Sequence, residues 1–303
     1  MLYFEMLCFI ADRYVKGGAM RIGLVLAGGF AKGAYQLGAL QALSEFIPLS
    51  EIRYMSTASI GTLNGYAFAT DQLEFVTDMW KSFCKEDEKA FITKILRGSA
   101  LQEDIRNLVK SGKELDSTFY TALFDIKNKA VQYRDLSKIP RDYVTDYLRA
   151  SVAFPIYNKS VKLDDCSFYD GGFVDNIPVH PITKHKLDYL ICIYFDDIGY
   201  KFESNAFDKK IIKITFPDMN NIKNSFFITS ESIDDMIKEG YEHAHKILSK
   251  AFANGYEDKE YVLARIKKVN SRAENPKLRL TTDVVITNVN KALSLFAKRK
   301  ITY

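Results

Sequence analysis

Residues 21–27, RIGLVLA, form a short, nearly unbroken apolar run bounded by glycines, the pattern of a strand buried on both faces. Residues 34–43, AYQLGALQAL, follow with apolar positions at helical spacing. The alternation returns where EIRYMSTA (51–58) runs into IGTLNGYAFA (60–69), and LDYLICIYF (187–195) and IIKITF (211–216) read as further strands. Strands alternating with helices predict an α/β fold, a mainly parallel sheet sandwiched by helices. FYTALFD (119–125) and AVQYR (130–134) flank Ile126-Lys127-Asn128-Lys129 and predict a hairpin at the sheet's edge. Residues 230–252 open on a Ser cap and an acidic first turn, so they predict a helix, interrupted at Gly240. This makes the C-terminal region largely helical, and the charged residues 85–112 are also read as helix.

At 303 residues and 47% hydrophobic, the chain can bury a substantial core. Its longest apolar runs fall well short of the roughly 20 residues that cross a hydrocarbon core, so no transmembrane helix is expected. No repeat, low-complexity block or Pro/Gly/Ser-rich linker divides it. Residues 1–20 read as an N-terminal extension without the basic start of a signal peptide. Translation from Met20 is the alternative, because Lys16-Gly17-Gly18 is what a purine-rich ribosome-binding site spells when translated.

Cys8, Cys84, Cys166 and Cys192 show no paired spacing and no metal-ligand pattern, which fits a reducing, cytoplasmic setting. His243 and His245, two apart on a helix, point to opposite sides and read as surface histidines rather than one metal site. The net charge of +4 is uneven: residues 254–303 hold 11 Lys+Arg against 5 Asp+Glu. A tail ending AFAKRKITY can rest peripherally on an anionic membrane surface, each basic residue contributing about 1 kcal/mol. A solvated helix face is the simpler reading of the same run.

Three segments can carry chemistry. In LAGGFAKGAYQLGAL (26–40) a glycine-rich turn between strand and helix leaves backbone N–H groups able to hold an anion. A dinucleotide fingerprint would place its middle glycine at Phe30, and a phosphate loop needs Lys-Ser/Thr after its last glycine, where Lys32 precedes Gly33. Both nucleotide patterns therefore fail, whereas an oxyanion hole and a plain packing turn both remain open. In YMSTASIGTLNG (54–65), Ser59 sits where a nucleophile on a strained strand-to-helix turn would sit, with Gly61 behind it and Thr57 in place of a leading glycine. A β-branched residue there should open the turn slightly. In FYDGGFVDNIPV (168–179), Asp170 precedes two glycines, either a carboxylate on a closely approaching loop or a simple hairpin turn.

Taken in order, GGFAKG, TASIG and DGG resemble the patatin-like phospholipases, and KGAYQLGALQAL, SIGTLNG, RASVAFPIY and DGGFVDNIPV resemble that family's signature segments. The resemblance covers residues 21–183 as the catalytic region, with 184–303 completing the same domain. It implies a serine acyl hydrolase acting on lipid esters, with no cofactor, no metal and no nucleic-acid partner. It implies Ser59 as nucleophile, Asp170 as its base, Gly28, Gly29 and the amide of Phe30 as oxyanion hole, and Lys32 as the loop's basic, substrate-binding residue. A Ser–Asp dyad asks a carboxylate with an ordinary pKa of about 3.9 to take a hydroxyl proton, so burial must raise its basicity. Phe30 and Thr57 depart from the family's glycines, which leaves a catalytically impaired lipid-binding protein of the same fold as the alternative.

Overall fold

The computed structural model describes residues 20–83, 90–91, 98–155, 158–195, 209–216, 227–273 and 298–301. Residues 1–19 of the N-terminal extension, with Cys8, and Cys84 lie outside the described residues. In chain order the strands are β1 (Ile22–Leu26), β2 (Ile52–Thr57), β3 (Ala90–Phe91), β4 (Thr118–Asp125), β5 (Ala130–Asp135), β6 (Val161–Leu163), β7 (Cys166–Asp170), β8 (Tyr189–Tyr194), β9 (Ile211–Thr215), β10 (Phe227–Ile228) and β11 (Lys298–Ile301). The helices are α1 (Gly33–Phe46), α2 (Ile60–Ala69), α3 (Leu73–Ser82), α4 (Ser99–Ser111), α5 (Arg141–Ser151), α6 (Ser230–Ala251) and α7 (Lys259–Ala273).

The central sheet runs β11-β5-β4-β2-β1-β8-β9, with β7 also on β4 and β6 on β7. Pairing is parallel from β4 through β2, β1 and β8 to β9, as the apolar runs predict. The β4–β5 hairpin forms, but not at the edge: β11 pairs in parallel along β5, so Lys298–Ile301 is strand rather than part of a helical tail. Helix α4 occupies the later part of the charged stretch 85–112, and β3 pairs with β10 in a separate two-stranded sheet.

One strand sets the geometry of everything that follows. Along one edge β4 is paired with β5 from Tyr120 to Asp125, so its other partners must share the opposite edge. There β2 advances in parallel and ends with Thr57 opposite Thr121, while β7 advances in antiparallel and ends with Asp170 opposite Leu123. The C-terminal ends of β2 and β7 thus meet head-on, two residues apart on β4.

The main core joins Leu24 and Leu26 of β1 to the inner faces of the helices, and a second cluster joins Val25 to Tyr120, Tyr133, Ile177 and Ile182. Alternate residues of β1 therefore face two different apolar layers, which is why its run lacks polar interruptions. Helix α6 is continuous through Gly240. The glycine is there for contact rather than a break: a Cβ on Gly240 would strike the Tyr35 carbonyl of α1, and one on Gly38 would strike the Ile237 carbonyl of α6. The two backbones touch as only glycines allow. The cap of α6 is Thr229, not Ser230, with Thr229 and Ser232 forming a reciprocal capping box.

Candidate active site

Ser59 follows β2 and caps α2 at φ 53°, ψ −134°. For a residue with a Cβ this conformation costs of order 1–3 kcal/mol and persists only where surroundings impose it. They do so here. The Ala58 N–H donates to the Leu26 carbonyl at 3.1 Å, the Gly61 N–H to Ala58 at 3.0 Å and the Thr62 N–H to Ser59 at 2.8 Å. Gly61 lies so close to β1 that a Cβ would come within 2.6 Å of the Ala27 carbonyl. Thr57 remains in the strand, fully buried, and donates to the Tyr120 carbonyl at 2.9 Å, while its hydroxyl joins those of Thr62 and Thr121 in a chain. Room for its branched side chain comes from Gly65, whose added Cβ would sit 3.0 Å from the Thr57 methyl.

Asp170 ends β7 and is 3% exposed. It does not form a hairpin turn: Gly171–Phe173 make a 3-10 turn, and the Gly172 N–H donates to its carboxylate at 2.7 Å. The Ser59 side chain is near enough to the carboxylate to favour its charged form. Burial raises its pKa to about 7, and Ser59 and the Gly172 hydrogen bond only partly oppose that rise. The direction is the one that a carboxylate base requires. Ser59 itself is half-buried, so a partly open hydroxyl faces a closed-off carboxylate.

The glycine-rich loop lies against this pair. A Cβ on Gly28 would collide with the Asn176 amide and come within 2.7 Å of the Ser59 Cβ, and one on Gly172 would lie 3.3 Å from that atom. The Gly28 N–H donates to the Asn176 carbonyl at a long 3.3 Å. Gly29 packs on the Phe195 ring. Phe30 takes φ 50°, the left-handed conformation that the missing third glycine would adopt more easily, and its ring meets Phe154 edge-on at 5.3 Å. Lys32 is buried, its ammonium 5.9 Å from the centre of the Phe195 ring. All six residues singled out in the sequence therefore fall in one neighbourhood, on the two loops and the turn at the meeting point of β2 and β7.

The residues that hold the neighbourhood together were not singled out. Asn176 donates from Nδ2 to the Gly28 carbonyl at 3.0 Å, tying the Asp170 loop to the glycine loop in both directions. Asp175 beside it accepts from the Tyr133 hydroxyl. Gln36 donates to the Ala27 carbonyl at 3.0 Å, and Asn64 donates to the Gly33 carbonyl at 2.8 Å, so both ends of the glycine loop are fixed by buried amides. Asn64 also donates to Gln36 at 3.1 Å and accepts from Trp80 at 3.1 Å. The signal was present: Asn64 is a large polar residue inside the mostly apolar helix IGTLNGYAFA, where it must find partners.

Among the described residues no group of His, Cys, Asp and Glu could hold a metal ion, and no helix is long and apolar enough to cross a membrane. Cys166 and Cys192 are free thiols.

Residues 24–183, just over half of the chain, match the family model described as patatin-like phospholipase. The patatin-like phospholipase domain-containing protein 7 of Mus musculus is 27% identical over 210 residues, 64% of this chain and 14% of that protein. Lysophospholipase NTE1 of Cryptococcus neoformans var. neoformans serotype D is 27% identical over 192 residues, 59% of this chain and 11% of that protein. The chain thus spans a small part of the length of these curated relatives. A crystal structure of VipD from Legionella pneumophila superposes with a TM-score of 0.46 at 12% identity, covering 77% of this chain and 67% of that one.

Proposed function

Because the chain belongs to the patatin-like phospholipase family, we propose that it is a serine acyl hydrolase of lipid esters, with Ser59 as nucleophile and Asp170 as its base. The observation that carries the reading is the strained Ser59 set beside a buried carboxylate whose pKa lies near 7. A base with a pKa near the working pH is effective in both directions of proton transfer.

In the first half-reaction the Ser59 Oγ bonds to the ester carbonyl carbon while its proton passes to Asp170. The carbonyl oxygen becomes an oxyanion held by the amides of Gly29 and Phe30, and by that of Gly28 once its long bond to Asn176 yields. Collapse breaks the ester C–O bond, and Asp170 hands the proton to the leaving alcohol. Water then attacks the acyl-serine, gives one proton to Asp170 and releases the fatty acid, after which the proton returns to Ser59. Lys32 supplies a fixed positive charge in the loop that receives the substrate's carbonyl. The unit that does this is the region 21–183 completed by 184–303, because β8 and β9 extend the same sheet. Its setting is cytoplasmic, with peripheral contact at a lipid surface where the substrates lie.

A fluorophosphonate probe tests the assignment. Labelling at Ser59 that disappears in Ser59→Ala, with lipid hydrolysis falling about 10²–10³-fold or more in Ser59→Ala and Asp170→Asn, is expected. Folded protein that takes up no label and releases no fatty acid from a mixed lipid extract would instead identify a lipid-binding protein.

A further inference from the structure

Arg265 and Lys268, two of the basic residues of the C-terminal stretch, gather with Lys246 and Lys250 round one cavity. Between α6 and α7 a pocket of about 390 Å³ is lined by Lys246, Lys250, Arg265, Lys268 and His243, over an apolar floor of Ile247 and Val269. Among the described residues no acidic side chain lines it. Like charges gathered round one cavity repel, and a bound anion relieves that repulsion.

Two features make the pocket a built site. The Arg265 guanidinium is held in place, its Nε donating to the Lys250 carbonyl at 3.4 Å and its Cζ 5.3 Å from the centre of the Tyr261 ring. His243 is not the surface residue that its sequence suggests: one ring nitrogen is hydrogen-bonded to the Thr215 backbone, while Nε2 is buried without a partner among the described residues. His243 lines the cavity while its Nε2 is closed off beneath the surface, and an anion bound there would satisfy that nitrogen after a small shift of the ring. Helix α7 is anchored to the sheet by Asn270, which accepts from the Lys213 N–H at 3.0 Å and donates to the Ile211 carbonyl at 2.8 Å, so the pocket's two walls are fixed relative to β9.

We propose that this pocket binds a phosphate-monoester dianion, carried either by a lipid headgroup or by a free small molecule. Arg265 presents the planar fork that suits phosphate oxygens, Lys246 and Lys250 add point charges, and the pocket's size accommodates a headgroup. His243 Nε2 either accepts the hydrogen of a P–OH or takes a proton from solvent and donates it to a phosphate oxygen. The site shares no residue with the Ser59–Asp170 neighbourhood and does not depend on the reading of that neighbourhood.

Calorimetric titration with inorganic pyrophosphate and flotation with phosphatidylcholine vesicles, plain or containing phosphatidic acid or phosphatidylglycerol, test the proposal. Two variants are compared with the wild type: the doubly neutralised Lys250→Gln/Arg265→Gln, and His243→Phe, which keeps the ring contact with Phe216 and removes Nε2. Pyrophosphate binding that falls at least about tenfold in the double variant and severalfold in His243→Phe, at unchanged melting temperature, supports the site. Phosphatidic-acid-dependent flotation lost in the same variants assigns the dianion to a lipid; pyrophosphate binding without flotation assigns it to a free molecule. Equal flotation on phosphatidylglycerol and phosphatidic acid, or binding indifferent to both variants, would overturn it, because diffuse charge would then suffice.

Discussion

Replacing Asp170 by asparagine should remove activity and, above neutral pH, make the protein more stable. The side chain is nearly isosteric, its oxygen can still accept the Gly172 N–H at the 2.7 Å position, and its amide can face Ser59. In the native protein the carboxyl ionises near pH 7, while in the unfolded chain it does so near 3.8. Between those values the folded state holds the proton that the unfolded state has lost, so unfolding free energy falls as pH rises. Three pH units at about 1.4 kcal/mol each amount to about 4 kcal/mol, present in full below pH 4 and gone above pH 7. Water admitted at the half-open Ser59 side reduces that figure, so it is an upper bound. The measurement is the difference in denaturant-unfolding free energy between wild type and Asp170→Asn across pH 4–8, in which all other titrating groups cancel. The variant should gain on the wild type steadily from pH 4 to about pH 7, then run parallel to it. In the same range wild-type hydrolysis should climb about tenfold per pH unit up to about pH 7 and then level, since only the ionised carboxylate accepts the Ser59 proton. Superimposable pH profiles of stability would refute the buried, elevated carboxylate, and with it the basis of a base without histidine.

Gly240→Ala is expected to destabilise by about 3 kcal/mol or more, read by denaturant unfolding, although alanine is worth about 1 kcal/mol over glycine in an open helix; a gain in stability would show that α1 and α6 do not touch at Tyr35. Asn176→Ala should leave the fold intact but slow turnover by about 10–100-fold with KM little changed, because the glycine loop loses the 3.0 Å bond that positions it against Ser59; an unchanged kcat would remove Asn176 from the positioning role.

Local chemistry made much of this protein legible. The unbroken apolar run of β1, the helical spacing of α1 and the small residues round Ser59 each specify their own segment, because periodicity and steric bulk act over a few residues. The hidden parts are contacts between distant segments. Gly240 looked like a helix interruption because a glycine within a helix is locally unfavourable, and only the Tyr35 carbonyl of another helix explains it. The hairpin at β4–β5 looked like an edge because its cover, β11, comes from the far end of the chain. His243 looked like surface until Thr215 and Phe216 closed over its ring.

The candidate residues were visible as ordered segments, but their meeting was not. Sequence alone determined that a strand would turn sharply into a helix at Ser59 and that an aspartate would precede two glycines. Tertiary structure decided that β2 and β7 run toward each other along one edge of β4, which sets Ser59 beside Asp170, and that the carboxylate is sealed from water there. Proximity and desolvation belong to the assembled sheet rather than to any segment, and desolvation is what lifts the carboxyl's pKa to about 7.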